Sequence, residues 1–73
     1  MEKFPIFVVF NKRAMKYKEF HKLIKRSGWI EIRQEGSHKI YSKPGYPNKS
    51  VPYHGSKEIP EPVRRRLCKE MGI

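Results

Sequence analysis

Only one cysteine, Cys68, occurs in the 73 residues, so no intramolecular disulfide can staple this chain. A small basic domain without bridges fits a reducing compartment, and a cytoplasmic location is expected. Ligands spaced for zinc are missing as well. His21, His38, His54 and Cys68 are well separated, with no C-x-x-C or H-x-x-x-H pair, so neither a metal nor any other cofactor is expected. Long apolar runs are absent: Phe4–Phe10 is the longest, far short of the roughly twenty residues a bilayer span needs. It does not read as a signal peptide either, because Glu2 precedes it and no small-residue cleavage site follows. The chain is also too short for a second domain or a cofactor-sized cleft. Acidic residues are scarce, 7 against 17 Lys and Arg, which leaves a formal net charge of +10.

That excess on so small a domain points to a polyanionic partner. Nucleic acid comes first, an acidic protein second, an anionic membrane surface third. The membrane is the poorest fit, because neither predicted helix pairs a broad aromatic face with a continuous basic one. If RNA is the partner, five phosphate contacts would give a log–log salt slope of roughly −3.5 on single strands.

Residues 1–14 divide from the rest. Phe4–Phe10 has the composition and length of a β-strand, and two readings stand: an added strand, or an extension upstream of a natural start at Met15. From residue 15 onward the pattern is that of one domain. Tyr17, Phe20, Leu23, Ile24 and Ser27 recur at helical spacing, with Lys16, Lys18, Glu19, Lys22, Lys25 and Arg26 opposite. Gly28 is placed as the helix stop, with Trp29 folding back onto the helix end. His21 falls at the stripe's edge and reads as a boundary residue.

Trp29–Gln34 alternates with period two, and the expected strand turns Ile30 and Ile32 to the core and Trp29, Glu31 and Arg33 away. Glu35-Gly36 signals a hairpin, and Ser37–Lys43 returns as the second strand. Its parity is open: an inward Ile40 puts His38 on the core side, an inward Tyr41 puts His38 on the open face. Pro44–Asn48 reads as a loop. Lys49–Tyr53 reads as a short third strand, demoted to a sheet edge by Pro52. After the His54–Glu58 loop, a helix from about Pro60 to Met71 carries Val63, Leu67 and Met71 on its apolar stripe, with Cys68 beside them. Gly72-Ile73 repeats the Gly28-Trp29 stop. Helix, three-stranded antiparallel meander, helix is therefore expected, an α+β two-layer sandwich with both helices on one face of the sheet.

Two stretches carry the chemistry: Gly36-Ser37-His38-Lys39 and His54-Gly55-Ser56-Lys57. Each sets a histidine, which titrates near neutral pH unaided, beside Gly, Ser and Lys. Taken with Leu23-Ile24, Ser27-Gly28-Trp29, Gln34-Glu35, Val51-Pro52-Tyr53 and the closing Leu67–Ile73, they form an ordered set over about residues 16–73. This set resembles the HicA family of bacterial toxins. The resemblance implies a double-stranded-RNA-binding-like α-β-β-β-α fold and a translation-independent endoribonuclease acting on mRNA. It also implies neutralisation by a HicB-type antitoxin and a catalytic histidine at the position of His38. Residues 1–14 depart from the family pattern, whose members begin close to the first helix.

Metal-independent RNA cleavage needs a base for the 2′-hydroxyl, in-line attack, stabilisation of the phosphorane and an acid for the leaving 5′-oxygen. His38 suits either proton-transfer role, and Lys39 beside it would favour its neutral form. Lys39 and Lys57 are candidate phosphate clamps, Ser37 a candidate donor to a non-bridging oxygen, and Tyr41 and Tyr46 candidate stacking faces. His54 has two open roles, partner acid or RNA contact on one side, support of the loop before the second helix on the other. The competing structural role for His38 is a bond to backbone across the hairpin. Two rival functions remain beside the nuclease: a non-catalytic RNA-binding module of the same fold, and a regulatory protein meeting an acidic partner.

Overall fold

The computed structural model describes residues 15–73, so the readings of residues 1–14 lie outside the described residues. Seven elements follow in order: β1 (Met15–Lys16), α1 (Tyr17–Arg26), β2 (Ile30–Glu35), β3 (His38–Lys43), β4 (Tyr46–Pro52), β5 (Glu58–Ile59) and α2 (Glu61–Met71). β2, β3 and β4 form an antiparallel meander with β3 in the middle, while β1 and β5 add a separate two-residue ladder. The expected α+β architecture, two helices against a three-stranded antiparallel sheet, is the one observed.

The core explains the layering. Tyr17, Phe20 and Ile24 of α1 and Leu67 and Met71 of α2 pack with Tyr41 of β3, Val51 of β4, Trp29 and Ile59 in one buried cluster. Both helices thus use the same face of the sheet. They also stop by the same device. Trp29 N–H reaches back to Ile24 O at 3.4 Å and Ile73 N–H to Cys68 O at 2.9 Å, so each glycine is followed by an apolar residue tucked onto the helix end.

Three strand-level expectations are corrected. Ile30 and Ile32 are 63% and 45% exposed, while Trp29 is 2% exposed. The tucked indole fixes which way the chain leaves α1, and its Nε1–H donates to Met71 O at 3.3 Å. A bulge between Glu31 and Arg33 then shifts the alternation along β2. β4 begins at Tyr46 rather than Lys49, because Lys43 pairs with Tyr46 and the turn shrinks to Pro44-Gly45. Pro47 is tolerated there because β4 lies at the sheet edge, where its missing N–H costs no ladder bond. Cys68 is half-buried at the rim, as are Leu23 and Val63.

Candidate functional site

The β2–β3 hairpin has two loop residues, Gly36 and Ser37, between the paired Glu35 and His38. Gly36 has φ of 59°, the left-handed region that the first loop position of a type II′ turn requires. A Cβ at this position would meet no neighbour, so Gly36→Ala tests backbone strain alone. It is expected to cost about 1–2 kcal/mol and to lower Tm by roughly 5–15 °C in a thermal melt.

The open parity of β3 is settled by Tyr41, which is fully buried against the helices. His38 therefore lies on the open face of the sheet, exposed, at the first position of β3. Glu35 stands directly across from it on β2 and Pro52 on β4. The next pair along the same face is Arg33 with Ile40, and Arg33 Nε–H bonds the Glu35 carboxylate. The side-chain support of the hairpin comes from that pair and from Gln34, whose amide donates to Gly36 O at 3.1 Å. His38 takes part in neither, and among the described residues its imidazole has no hydrogen-bond partner.

Lys39 is next to His38 in sequence but on the opposite face. Its Nζ lies 3.4 Å from Glu31 and 4.4 Å above the Tyr53 ring. Lys25 reaches the same Glu31 oxygen at 3.4 Å. Partial burial opposes ionisation of Glu31, but Lys39 and Lys25 outweigh it and hold the carboxyl below its usual range. Tyr41 cannot stack on a base, because the whole side chain is enclosed. Tyr46 is partly exposed, with its ring 5.1 Å from Trp29.

The second motif is brought against the first by backbone. Tyr53 N–H donates to Ser37 O at 2.7 Å, joining the end of β4 to the hairpin loop. The turn that follows caps α1: Tyr17 N–H bonds Lys57 O at 2.9 Å and Lys18 N–H bonds Gly55 O at 3.0 Å. These satisfy two of the helix's orphan donors, and Glu19 takes a third from Lys16 N–H at 3.0 Å. His54 packs its ring edge-on to Tyr17, centroids 4.9 Å apart, with the residue still exposed. Ser37, Ser56 and Lys57 are exposed.

Three residues around the site carried no role in the sequence reading. Arg33 and Glu35 are aligned with His38 by the register of the two-residue hairpin, which runs unbroken from Glu35 to Arg33. His21 is the larger omission. It is 3% exposed, with Nδ1 2.6 Å from the Tyr41 hydroxyl and Nε2 2.8 Å from Pro52 O. Burial lowers its pKa below the ordinary histidine value, with Lys39 adding to the effect.

Among the described residues no three His, Cys, Asp or Glu side chains converge as metal ligands. No described helix is long and apolar enough to cross a membrane. The described residues enclose no pocket, so the accessible chemistry is on an open surface.

Fold and surface together define a small basic α+β domain of double-stranded-RNA-binding-like architecture, with an exposed histidine at a hairpin on the open face of its sheet. The family described as HicA toxin of bacterial toxin-antitoxin matches residues 17–73. The chain belongs to the HicA toxin family, and is accordingly the toxin of a toxin–antitoxin pair. No curated protein matches it.

Proposed function

We propose that this toxin is a metal-independent, translation-independent endoribonuclease that cuts mRNA in the cytoplasm, with His38 as the general acid/base and a HicB-type antitoxin as its inhibitor. The observation that carries the reading is the exposed His38 imidazole at the first position of β3, without a hydrogen-bond partner among the described residues and with a cation on the same face. Arg33, rather than Lys39, is the cation one pair along from His38, and it suits the charge of a pentacoordinate phosphorane. Ser37 lies in the loop just before His38, where its hydroxyl can donate to a non-bridging oxygen. His54 and Lys57 sit on the turn that follows Pro52, the strand neighbour of His38, and serve as RNA contacts. An open surface without a pocket suits a polymer substrate that is held along its backbone.

In this mechanism a neutral imidazole removes the 2′-hydroxyl proton, the 2′-oxygen attacks phosphorus in line, and the P–O5′ bond breaks. The products are a 2′,3′-cyclic phosphate and a 5′-hydroxyl, with the proton delivered to the leaving oxygen. Incubating a long mRNA with the purified protein in EDTA, without ribosomes, is expected to give fragments with those ends. Intact RNA, or cutting that requires a divalent cation, would sink the proposal.

Affinity on this reading comes from phosphate contacts. Lys18, Lys22 and Lys57 are exposed around α1 and the turn that caps it. Replacing all three with glutamine is expected to make the log–log salt slope for single-stranded RNA shallower by about 2. Filter binding between low and moderate salt reads that change, and an unaltered slope would place the RNA elsewhere.

A further inference from the structure

We infer that His21 is a positioning residue for His38, acting through a chain of hydrogen bonds that ends at the peptide group preceding His38. The inference rests on the proposed role of His38, and it is built from groups on α1, β3, β4 and the hairpin loop.

The chain begins with the tautomer of His21. Pro52 O can only accept, so the Nε2 that lies 2.8 Å from it carries the proton. In the neutral ring Nδ1 then holds a lone pair, and it accepts from the Tyr41 hydroxyl 2.6 Å away. Neither the imidazole nor the phenol is left with an unpaired buried polar atom. The groups facing this ring are the Tyr41 hydroxyl from β3, the Tyr53 ring edge-on at 4.9 Å, Phe20 from its own helix, and the charges of Lys39, Glu31 and Lys25.

Pro52 O and Tyr53 N–H belong to one peptide group, and in a trans peptide they point in opposite directions. His21 therefore holds the oxygen side of that group from α1. The nitrogen side donates to Ser37 O at 2.7 Å. Ser37 O belongs in turn to the Ser37–His38 peptide. Donors run one way throughout: Tyr41 hydroxyl to His21, His21 to Pro52 O, Tyr53 N–H to Ser37 O. Aligned bonds of this kind polarise one another.

Strand register gives the arrangement its purpose. His38 and Pro52 form a non-hydrogen-bonded pair, in which the ladder bond to β3 comes from Tyr53 N–H and Pro52 O points away from β3, so the missing N–H of Pro52 costs no ladder bond. At the edge of the sheet no further strand pairs with that oxygen. The buried imidazole holds it from the helix layer instead, so the first residue of β3 is fixed against the helix layer as well as against its neighbouring strands.

The first test reads the wild-type ring by long-range proton–nitrogen NMR. Neutral His21 with the proton on Nε2 at pH 7 is expected, whereas the Nδ1–H tautomer or an imidazolium would overturn the inference. His21→Phe keeps a ring but removes both bonds. It is expected to lower kcat on an RNA oligonucleotide by about tenfold to a hundredfold, with KM within about twofold. His21→Gln, which keeps an N–H for Pro52 O, is expected to recover most of that loss. Amide exchange at Tyr53 should accelerate in His21→Phe relative to Ile40. If His21→Phe does not fold, the Gln variant and the wild-type tautomer still decide. A folded His21→Phe with unchanged kcat overturns the inference while leaving the nuclease reading intact. If wild type does not cut RNA at all, the nuclease reading fails, and the tautomer and exchange results then report only the backbone anchor.

Discussion

Replacing His38 by alanine is expected to lower RNA cleavage by about a hundredfold to ten-thousandfold while leaving RNA affinity within about twofold. The size follows from removing a positioned acid/base, an effect of 10²- to 10⁴-fold in general, at a site with no second described imidazole on the same face. Affinity survives because it is spread over many phosphate contacts, none of which depends on a neutral imidazole. Folding survives because His38 is exposed and makes no bond that supports the hairpin, so its loss costs no more than about 0.5 kcal/mol. The measurement is cutting of a long mRNA by wild type and His38→Ala, in EDTA at low salt, with binding read in parallel. Equal cutting by both proteins would move the chemistry away from His38, with His54 the next candidate. Binding by both with cutting by neither would establish a non-catalytic RNA-binding module. The pairing of the two readouts matters, because loss of cutting alone would not separate chemistry from affinity.

What the sequence revealed and what it hid follow from the range of the interactions involved. Both helices and both glycine stops are written in residues three to five apart, and they were legible for that reason. The Gly36 hairpin is equally local, so the sequence alone places the loop that carries Ser37 and precedes His38. β2 departs from simple alternation because two local rules conflict at Trp29. Strand alternation turns the indole outward, whereas the helix stop turns it inward, and the indole has far more apolar surface to bury than either isoleucine. The bulge then keeps Ile32 and Arg33 together on the open face. Lys39 was drawn to His38 by adjacency in sequence, which a strand converts into separation across the sheet. His21 was beyond reach altogether, because its partners are 20 and 31 residues away. A histidine at the edge of a helical stripe gives no sign that a proline carbonyl awaits it. The hairpin and its exposed residues were thus legible, whereas the face on which His38 stands, the cation beside it and the supports beneath were not.

Trp29→Ala is expected to unfold the domain or nearly so, and the contrast with Ile30→Ser tests the corrected orientation of β2. Trp29 is 2% exposed, bonds Met71 O, and packs at a tilt 5.1 Å from the Tyr46 ring with Lys43 Nζ 5.9 Å over its own. Lys43 Nζ also donates to Ser27 O at 2.8 Å, so the indole lies where the ends of both helices meet the turn between β3 and β4. Truncating a buried aromatic costs about 3–5 kcal/mol, and the lost bond leaves Met71 O without its donor. At roughly 0.05–0.15 kcal/mol per residue, a domain of this size holds about 4–11 kcal/mol in all. The substitution therefore removes between about a third and the whole of the stability. Ile30 is 63% exposed, and serine in its place should cost less than about 1 kcal/mol. Urea titration of the two variants separates the alternatives, since the simple alternation of β2 demands the reverse order of effects. A large loss for Ile30→Ser with a small one for Trp29→Ala would turn the start of β2 over. The bulge would then be absent, while Arg33 and Glu35 would keep the face of His38, because simple alternation also turns Arg33 away from the core.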